Sequence, residues 1–169
     1  MPVLYLTQNQ FKMKKIFFIL AFTAIAFIQN GFAQDSSKPE PFLILNTYFK
    51  IKDALVSSDS KLAATAAVML AEAINGASAQ TIKENVRTAL LKDAAAISQA
   101  NDIKVQREKF ATLSGNMLEL AKTAKLSADP VYHQYCPMKK ASWLSNVQLI
   151  KNPYYGSAML TCGTVKATL

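Results

Sequence analysis

The sequence predicts a mainly α-helical protein, an antiparallel up-down four-helix bundle followed by an irregular, loop-rich C-terminal segment that can hold short strands. Apolar residues recur at helical spacing over about residues 41–125, and the connections between the helical stretches are short. After residue 129 this periodicity is lost, and proline, glycine and aromatic residues interrupt the chain. We therefore divide the chain into a signal peptide (1–33), a polar lead (34–40), a helical bundle (41–128) and a C-terminal segment (129–169), the last two packed as one domain.

Residues 1–33 have the parts of a secretory signal peptide. A lysine-rich stretch at residues 12–15 precedes the apolar run Ile16–Ile28, and Gly31 and Ala33 supply small residues before a cleavage point. The run is shorter than the about 20 apolar residues that span a bilayer. We expect export to the periplasm, cleavage near Ala33 and no stable membrane insertion afterwards. A retained N-terminal anchor helix is the alternative.

The charge balance excludes some classes of function. The 169 residues include 19 Lys and Arg against 11 Asp and Glu, a net charge of +8. Removing residues 1–33 takes away three lysines and no acid, so the net charge falls to +5. The longest remaining basic run is Lys139–Lys140, whereas nucleic-acid binders normally show a basic stripe interleaved with aromatics. We expect no nucleic-acid partner. The five glycines are scattered and no catalytic pair stands out, so we also expect no enzymatic activity.

The first two helices are predicted from their ends and their apolar residues. Pro41 suits the first turn of a helix. The apolar stripe of this helix consists of Ile44, Tyr48, Ile51 and Leu55. Asp59 or Ser58 can cap a second helix, which Gly76 is placed to end. The core that this helix offers is rich in alanine, namely Ala63, Ala64, Ala66, Ala67, Ala71 and Ala73.

The third and fourth helices have similar signals. Thr81–Glu84 fits a capping box for a helix that runs to about Gln99, and Asn101–Asp102 can cap the next one. The stripe of the fourth helix consists of Phe110, Leu113, Met117, Leu120 and Ala124. Met69 and Met117 lie on apolar stripes, where core packing is far commoner than metal ligation.

The C-terminal segment differs in composition from the bundle. Residues 130–169 hold both Cys, the only His, the only Trp and four of the six Tyr, but no Asp or Glu. Short strands are expected at 131–132, 147–150 and 159–160. Trp143, Tyr154 and Tyr155 can line a groove, although such residues more often fill the small core under a loop-rich segment.

Two sulfur pairs in this segment predict a soft-metal site. Cys136 is followed by Met138, and Met159 precedes Cys162 by three residues; His133 lies three residues before the first Cys. Residues three apart in a helix or turn, or two apart in a strand, share a face. Thiolates and thioethers select Cu(I) and also suit Zn(II), whereas Ca(II) and Mg(II) need the oxygen ligands that are missing here.

A disulfide is the alternative that the residues leave open. Two Cys in an exported protein normally pair. A Cys136–Cys162 bridge would close a loop of about 27 residues and stabilise the fold by about 3.5 kcal/mol. A lone His such as His133 is more often a packed or exposed residue than a ligand.

The tail resembles a known bacterial family of exported domains of unknown function. The motifs in order are Tyr135–Met138, Trp143–Ser145, Asn152–Gly156 and Met159–Gly163. The family also occurs fused to the C-terminal end of periplasmic adaptor subunits of copper- and silver-efflux pumps, and the resemblance covers about residues 43–166. It implies heavy-metal handling, copper above all. The site residues that it implies are Cys136, Met138, Met159 and Cys162, with His133 in a less strict part of the pattern.

We therefore expect a periplasmic, non-enzymatic protein that sequesters or hands over a soft metal ion. Cu(I) is the expected ion, with Zn(II) and Ag(I) as further candidates. A heavy-metal efflux adaptor or pump is the partner that the resemblance implies. The alternative function is an envelope interaction module stapled by a disulfide, with no metal.

Overall fold

A computed structural model describes residues 40–169, so the predicted signal peptide and nearly all of the polar lead lie outside the described residues. The helices are α1 (Glu40–Val56), α2 (Ser60–Gly76), α3 (Glu84–Ser98) and α4 (Ile103–Thr123). They are followed by β1 (Tyr132–Cys136), β2 (Ala141–Ser145), a short 3-10 helix (Gly156–Met159) and β3 (Thr164–Thr168). The predicted fold class is confirmed. Within residues 40–169, no helix is long and apolar enough to cross a membrane.

Two helix starts agree with the sequence prediction. Asp59 caps α2, where its carboxylate accepts a hydrogen bond from the backbone N–H of Leu62 at 2.9 Å. Asp102 caps α4 by accepting from the N–H groups of Lys104 and Val105. Each carboxylate satisfies N–H groups that have no partner within the helix.

The start of α3 differs from the prediction. The capping box at Thr81–Glu84 is wrong, because α3 begins at Glu84 without a side-chain cap. The hydroxyl of Thr81 bonds to the hydroxyl of Ser78, and the N–H of Ile82 donates to the carbonyl of Ser78. This turn directs Ile82 into the core, where it is fully buried, before the helix begins.

Each helix packs against the next one in the chain, and the predicted stripes form the core. All four stripe residues of α1 and the residues Phe110, Leu113, Met117 and Leu120 of α4 are buried, whereas Ala124 follows the end of α4 and is half-buried. The prediction for Met69 is wrong, since 37% of this residue is exposed. The buried stripe of α2 runs through Ala63, Ala67 and Leu70, and Met69 falls outside it.

The C-terminal segment forms a three-stranded antiparallel sheet with the order β2-β1-β3. Of the three predicted strands, only the first overlaps an observed one. Residues 147–150 are not a strand, because the side-chain amide of Gln134 donates to the carbonyls of Val147 and Gln148. Residues 159–160 belong to a 3-10 helix and a turn in which Cys162 N–H donates to Met159 O.

Two tyrosine hydroxyls bind the open edge of β2. Tyr48 of α1 accepts a hydrogen bond from Leu144 N–H at 3.1 Å and bonds to the Ser114 hydroxyl of α4 at 2.7 Å. Tyr154 donates its hydroxyl proton to the carbonyl of Ser142. Burial raises the pKa of both tyrosines, so both hydroxyls stay protonated. The edge N–H of Leu144 is therefore satisfied by helix α1, and the edge carbonyl of Ser142 is satisfied by the loop that carries Tyr154.

Candidate metal site

The fold brings the two cysteines together. Cys136 is the last residue of β1 and is fully buried, whereas Cys162 lies in the loop before β3 and is half-buried. Their Sγ atoms are 4.0 Å apart, and both residues are free thiols. The sequence predicted that these two residues, 26 positions apart, lie close together, either in a metal site or in a disulfide. The structure shows their sulfur atoms in contact.

The turn after β1 directs a backbone donor at Cys136. Lys139 N–H donates to Cys136 Sγ at 3.4 Å, and Lys140 adopts a left-handed conformation with φ 55° before β2 begins. Pro137 has no N–H to offer, so the donor comes from further along the turn.

A fully buried asparagine fixes the backbone of Cys162. Asn152 Nδ2 donates to Cys162 O at 2.6 Å, and Asn152 N–H donates to Leu160 O at 2.8 Å. Asn152 Oδ1 in turn accepts from Tyr154 N–H at 2.8 Å. Sequence reasoning missed this role of Asn152. The signal was its place in the motif Asn152–Gly156, where an amide can bond to its own turn.

Gly163 lets the Cys162 loop approach the sheet. A Cβ at this position would lie 2.8 Å from Trp143 Cη2 and 3.1 Å from Tyr135 O. A side chain would therefore push the loop away from β1, and with it the thiol of Cys162 from that of Cys136.

A second glycine and an arginine anchor the loop that carries Asn152. Arg107 of α4 donates through Nε to Pro153 O at 3.0 Å and through Nη2 to Leu55 O at 2.8 Å. Gly156 has φ 56°, and a Cβ there would lie 2.5 Å from Arg107 Nη2. Arg107 also went unnoticed in the sequence, because its partners are backbone carbonyls 46 and 52 positions away.

The environment of the thiol pair affects its protonation. Burial raises the pKa of Cys162, and the hydrogen bond and charge of Cys136 raise it further. The Sγ atoms of Cys136 and Cys162 are in contact at 4.0 Å, and Cys136 Sγ also accepts from Lys139 N–H. An ion that binds both sulfurs has to displace the Cys162 proton.

The predicted thioether ligands lie in the same loops. Met138 sits in the turn after Cys136 and is 64% exposed, so its side chain is free to reorient. Met159 is half-buried, and its carbonyl accepts from Cys162 N–H at 3.1 Å. Among the described residues, the structure shows the two thiol sulfurs in contact. It places the two methionines in the segments next to these cysteines in the sequence.

His133 lies apart from the thiol pair. It belongs to β1 with Cys136, and side chains three apart in a strand point to opposite faces. Its Nε2 bonds to Ser142 Oγ at 2.8 Å. Burial lowers the pKa of His133, as do the charges of Lys122 and Lys166. Only a helix or a turn would direct His133 and Cys136 at the same metal ion, and residues 132–136 form a strand instead.

Aromatic residues fill the space between the sheet and the helices. Trp143 is fully buried and packs edge-on against Tyr154 at a centroid distance of 5.9 Å, and Tyr154 reaches Phe110 of α4 at 5.9 Å. Tyr155 is half-buried. The sequence allows these residues either to line a groove or to fill a small core. The structure shows Trp143 and Tyr154 in the core. The Trp143 ring also lies beside Gly163, next to Cys162.

The fold and this site define a class, namely a four-helix domain whose C-terminal sheet carries a pair of thiols. Residues 44–129 match the model of a family described as a protein of unknown function, DUF3347, and since the match covers half of the chain, the protein belongs to this family. The matched range is the helical part, whereas the thiol pair lies beyond it. No curated protein and no solved structure matches the chain.

Proposed function

We propose that the protein binds a soft metal ion as cargo, with Cu(I) as the ion, and that Cys136 and Cys162 are its thiolate ligands. The observation that carries this proposal is the approach of two free thiols to 4.0 Å, one from the end of β1 and one from a distant loop. Buried hydrogen bonds of Asn152 and the close approach at Gly163 support that geometry.

The distance between the sulfurs suits a shared ion. An ion about 2.3 Å from each sulfur would make a sulfur–ion–sulfur angle of roughly 120° at this separation. That angle leaves room for a third ligand in the same plane. Met138 or Met159 would supply a thioether there, and Met138 is the more mobile of the two because it is 64% exposed.

The donor set supports a monovalent soft ion over a divalent one. Structural Zn(II) sites take four ligands, usually Cys and His. Residues 40–169 contain no group of three or more His, Cys, Asp and Glu that could hold a metal ion. Two thiolates with one or two thioethers match the preference of Cu(I), and Ag(I) shares its soft character.

The setting of this activity follows from the sequence. The predicted signal peptide at residues 1–33 would deliver the protein to the periplasm, and the resemblance of the tail implies a heavy-metal efflux adaptor or pump as the recipient of the ion. We propose that the protein sequesters the ion or hands it over to such a partner, without catalysis.

A disulfide-stapled interaction module is the second candidate, and the same adjacency of thiols favours it. The Sγ atoms would have to close from 4.0 Å to about 2.05 Å for a disulfide to form. Intact mass separates the two candidates. A mass two hydrogens below the reduced value in protein isolated from the envelope, with no metal uptake after gentle reduction, would overturn the metal proposal.

The direct test is a titration of the reduced protein with Cu(I) in competition with a chromophoric chelator. We expect stoichiometric binding, and we expect Cys136→Ser and Cys162→Ser each to weaken it by about 100-fold or more. Binding that survives in both variants would place the ion elsewhere.

The thioethers need a separate comparison. Met138→Leu combined with Met159→Leu should weaken Cu(I) binding by about 10-fold or more if either sulfur completes the site. Met69→Leu is the matched control, since Met69 is partly exposed on α2, far along the chain from the thiols. Equal affinities in all three proteins would remove the thioethers from the site.

A further inference from the structure

Three loops meet at the thiol pair, and we call the surface that they form (residues 136–140, 149–152 and 159–163) the thiol end. The turn 136–140 contributes Cys136 and the N–H that binds its sulfur. The stretch 149–152 is bonded to the third loop by Asn152, and Ile150 Cγ2 would lie 3.3 Å from a Cβ at Gly163. The three loops therefore form one continuous surface.

Each of these loops exposes a large apolar side chain. Met138 is 64% exposed, Leu149 is 65% exposed and Leu160 is 39% exposed. Exposed apolar groups that come from separate loops and surround one site are typical of interaction surfaces rather than of an ordinary solvated face.

The charged residues that the three loops of the thiol end carry are all basic. Lys140 and Lys151 are exposed, and Lys139 is half-buried, whereas residues 130–169 contain no Asp or Glu. The acids of the described chain all lie in residues 40–129, on the helical part. A surface of lysines without acids attracts negative charge and repels positive charge.

We propose that the thiol end is a docking surface for an acidic protein that exchanges the metal ion with Cys136 and Cys162. This inference rests on the proposed function and names the chemistry of the partner. In the exchange, Cu(I) leaves two thiolates of a loaded partner and binds the two cysteines. The protons that Cys136 and Cys162 release are taken up by the partner's sulfurs, so charge and protons balance.

A lipid surface is the other occupant that lysines and apolar side chains can attract. The position of the thiols favours a protein. Cys162 is half-buried in the middle of the three loops, where an approaching protein can bring its own ligands to the ion, whereas a lipid headgroup offers no soft ligand.

The test uses synthetic peptide donors that carry Cu(I) on a Cys-X-X-Cys motif flanked by a block of glutamates or by a block of lysines. Transfer to the reduced protein is followed by stopped-flow at low and high salt. We expect the acidic donor to transfer at least about 10-fold faster than the basic donor at low salt, with a difference that shrinks as salt is added.

Matched charge reversals locate the effect. Lys140→Glu with Lys151→Glu should abolish or reverse the preference for the acidic donor. Lys50→Glu with Lys61→Glu, which changes the net charge equally at two exposed positions of the helices, should leave it within about 2-fold. Equal loss in both double variants would overturn the docking surface.

Failure of the inference is distinguishable from failure of the proposed function. Stoichiometric Cu(I) uptake without any donor preference would overturn the docking surface and leave the metal site standing. No uptake from either peptide or from a chelator would overturn the metal site itself. Sedimentation with phosphatidylglycerol vesicles that is lost in the Lys140→Glu, Lys151→Glu variant, together with no donor preference, would assign the surface to lipid and overturn the protein partner.

Discussion

The side-chain amide of Asn152 donates a hydrogen bond to the carbonyl of Cys162 at 2.6 Å, from a position with no exposure to solvent. Its other polar groups are bonded as well, to Leu160, Tyr154 and Gly156. One side chain therefore joins the Asn152–Gly156 motif to the loop of the second thiol. The position of Cys162 depends on a residue that never contacts the sulfur.

Replacing this donor by an acceptor should loosen the loop. Asn152→Asp keeps the shape of the side chain but places a carboxylate beside the carbonyl of Cys162. We expect a loss of about 2–4 kcal/mol in the free energy of unfolding at pH 7, measured by urea denaturation. The introduced acid should have a raised pKa in the folded protein, so the deficit should shrink as the pH falls toward about 4, where a protonated carboxyl can donate again.

Asn146→Asp is the control for this variant. Asn146 is exposed in the same segment, so the same chemical change there should alter stability by less than about 0.5 kcal/mol. If the two variants lost the same amount of stability, the buried hydrogen bond would not be what holds the loop.

Gly163→Ala tests the close approach of the Cys162 loop to the sheet. The added methyl would lie 2.8 Å from Trp143 Cη2, so we expect a loss of about 1–3 kcal/mol in thermal or chemical unfolding. Gly115→Ala is the control, and it should change stability in the opposite direction. Gly115 lies inside α4, and an added methyl there would have nothing within 4 Å, so alanine should stabilise by about 0.5–1 kcal/mol. A neutral Gly163→Ala would contradict the close packing of Gly163 against Trp143.

Arg107→Lys tests the anchor between α4 and the Asn152 loop. Lysine keeps the charge but cannot reach Pro153 O and Leu55 O at the same time as the guanidinium does. We expect a loss of about 1–3 kcal/mol in the free energy of unfolding. Lys109→Ala, at an exposed position of the same helix, should cost less than about 0.5 kcal/mol. If Arg107→Lys and Lys109→Ala lost the same amount of stability, the hydrogen bonds of Arg107 to the two carbonyls would not stabilise the fold.

The helical part could be predicted because its signals are local. The stripe of Ile44, Tyr48, Ile51 and Leu55 needs only the helical period, and the caps at Asp59 and Asp102 bond within three residues. Where a competing local contact exists, as at Thr81, the local signal indicated the wrong helix start.

The sheet could not be predicted in the same way. Its register depends on partners far along the chain, and residues 147–150 have the composition of a strand although the amide of Gln134 binds their carbonyls. The thiol pair was predictable from residue chemistry and from the resemblance of the tail. The separation of His133 from Cys136 needed the knowledge that both lie in one strand.

For the proposed Cu(I) site, the raised pKa of Cys162 predicts an affinity that depends on pH. The folded apoprotein holds this proton more tightly than an ordinary thiol does, mainly because of burial, so the ion competes with it throughout the neutral range. Binding of the ion to the Cys162 sulfur releases this proton, so the affinity should fall by at least about 10-fold for each pH unit of acidification.

Chelator competition at several pH values between about 6 and 8 would measure this slope, below the ordinary thiol pKa of about 8.5. Cys162→Ser removes the Cys162 proton, so its residual affinity should depend less steeply on pH than that of the wild-type protein. His133→Asn should leave the slope of the wild-type protein unchanged, because His133 lies on the other face of β1 and bonds to Ser142. A slope that became steeper below the pKa of His133, and that lost this bend in His133→Asn, would make the histidine a ligand after all, because binding would then displace its proton as well. A pH-independent affinity would mean that the ion does not bind through the thiols, because thioethers do not titrate.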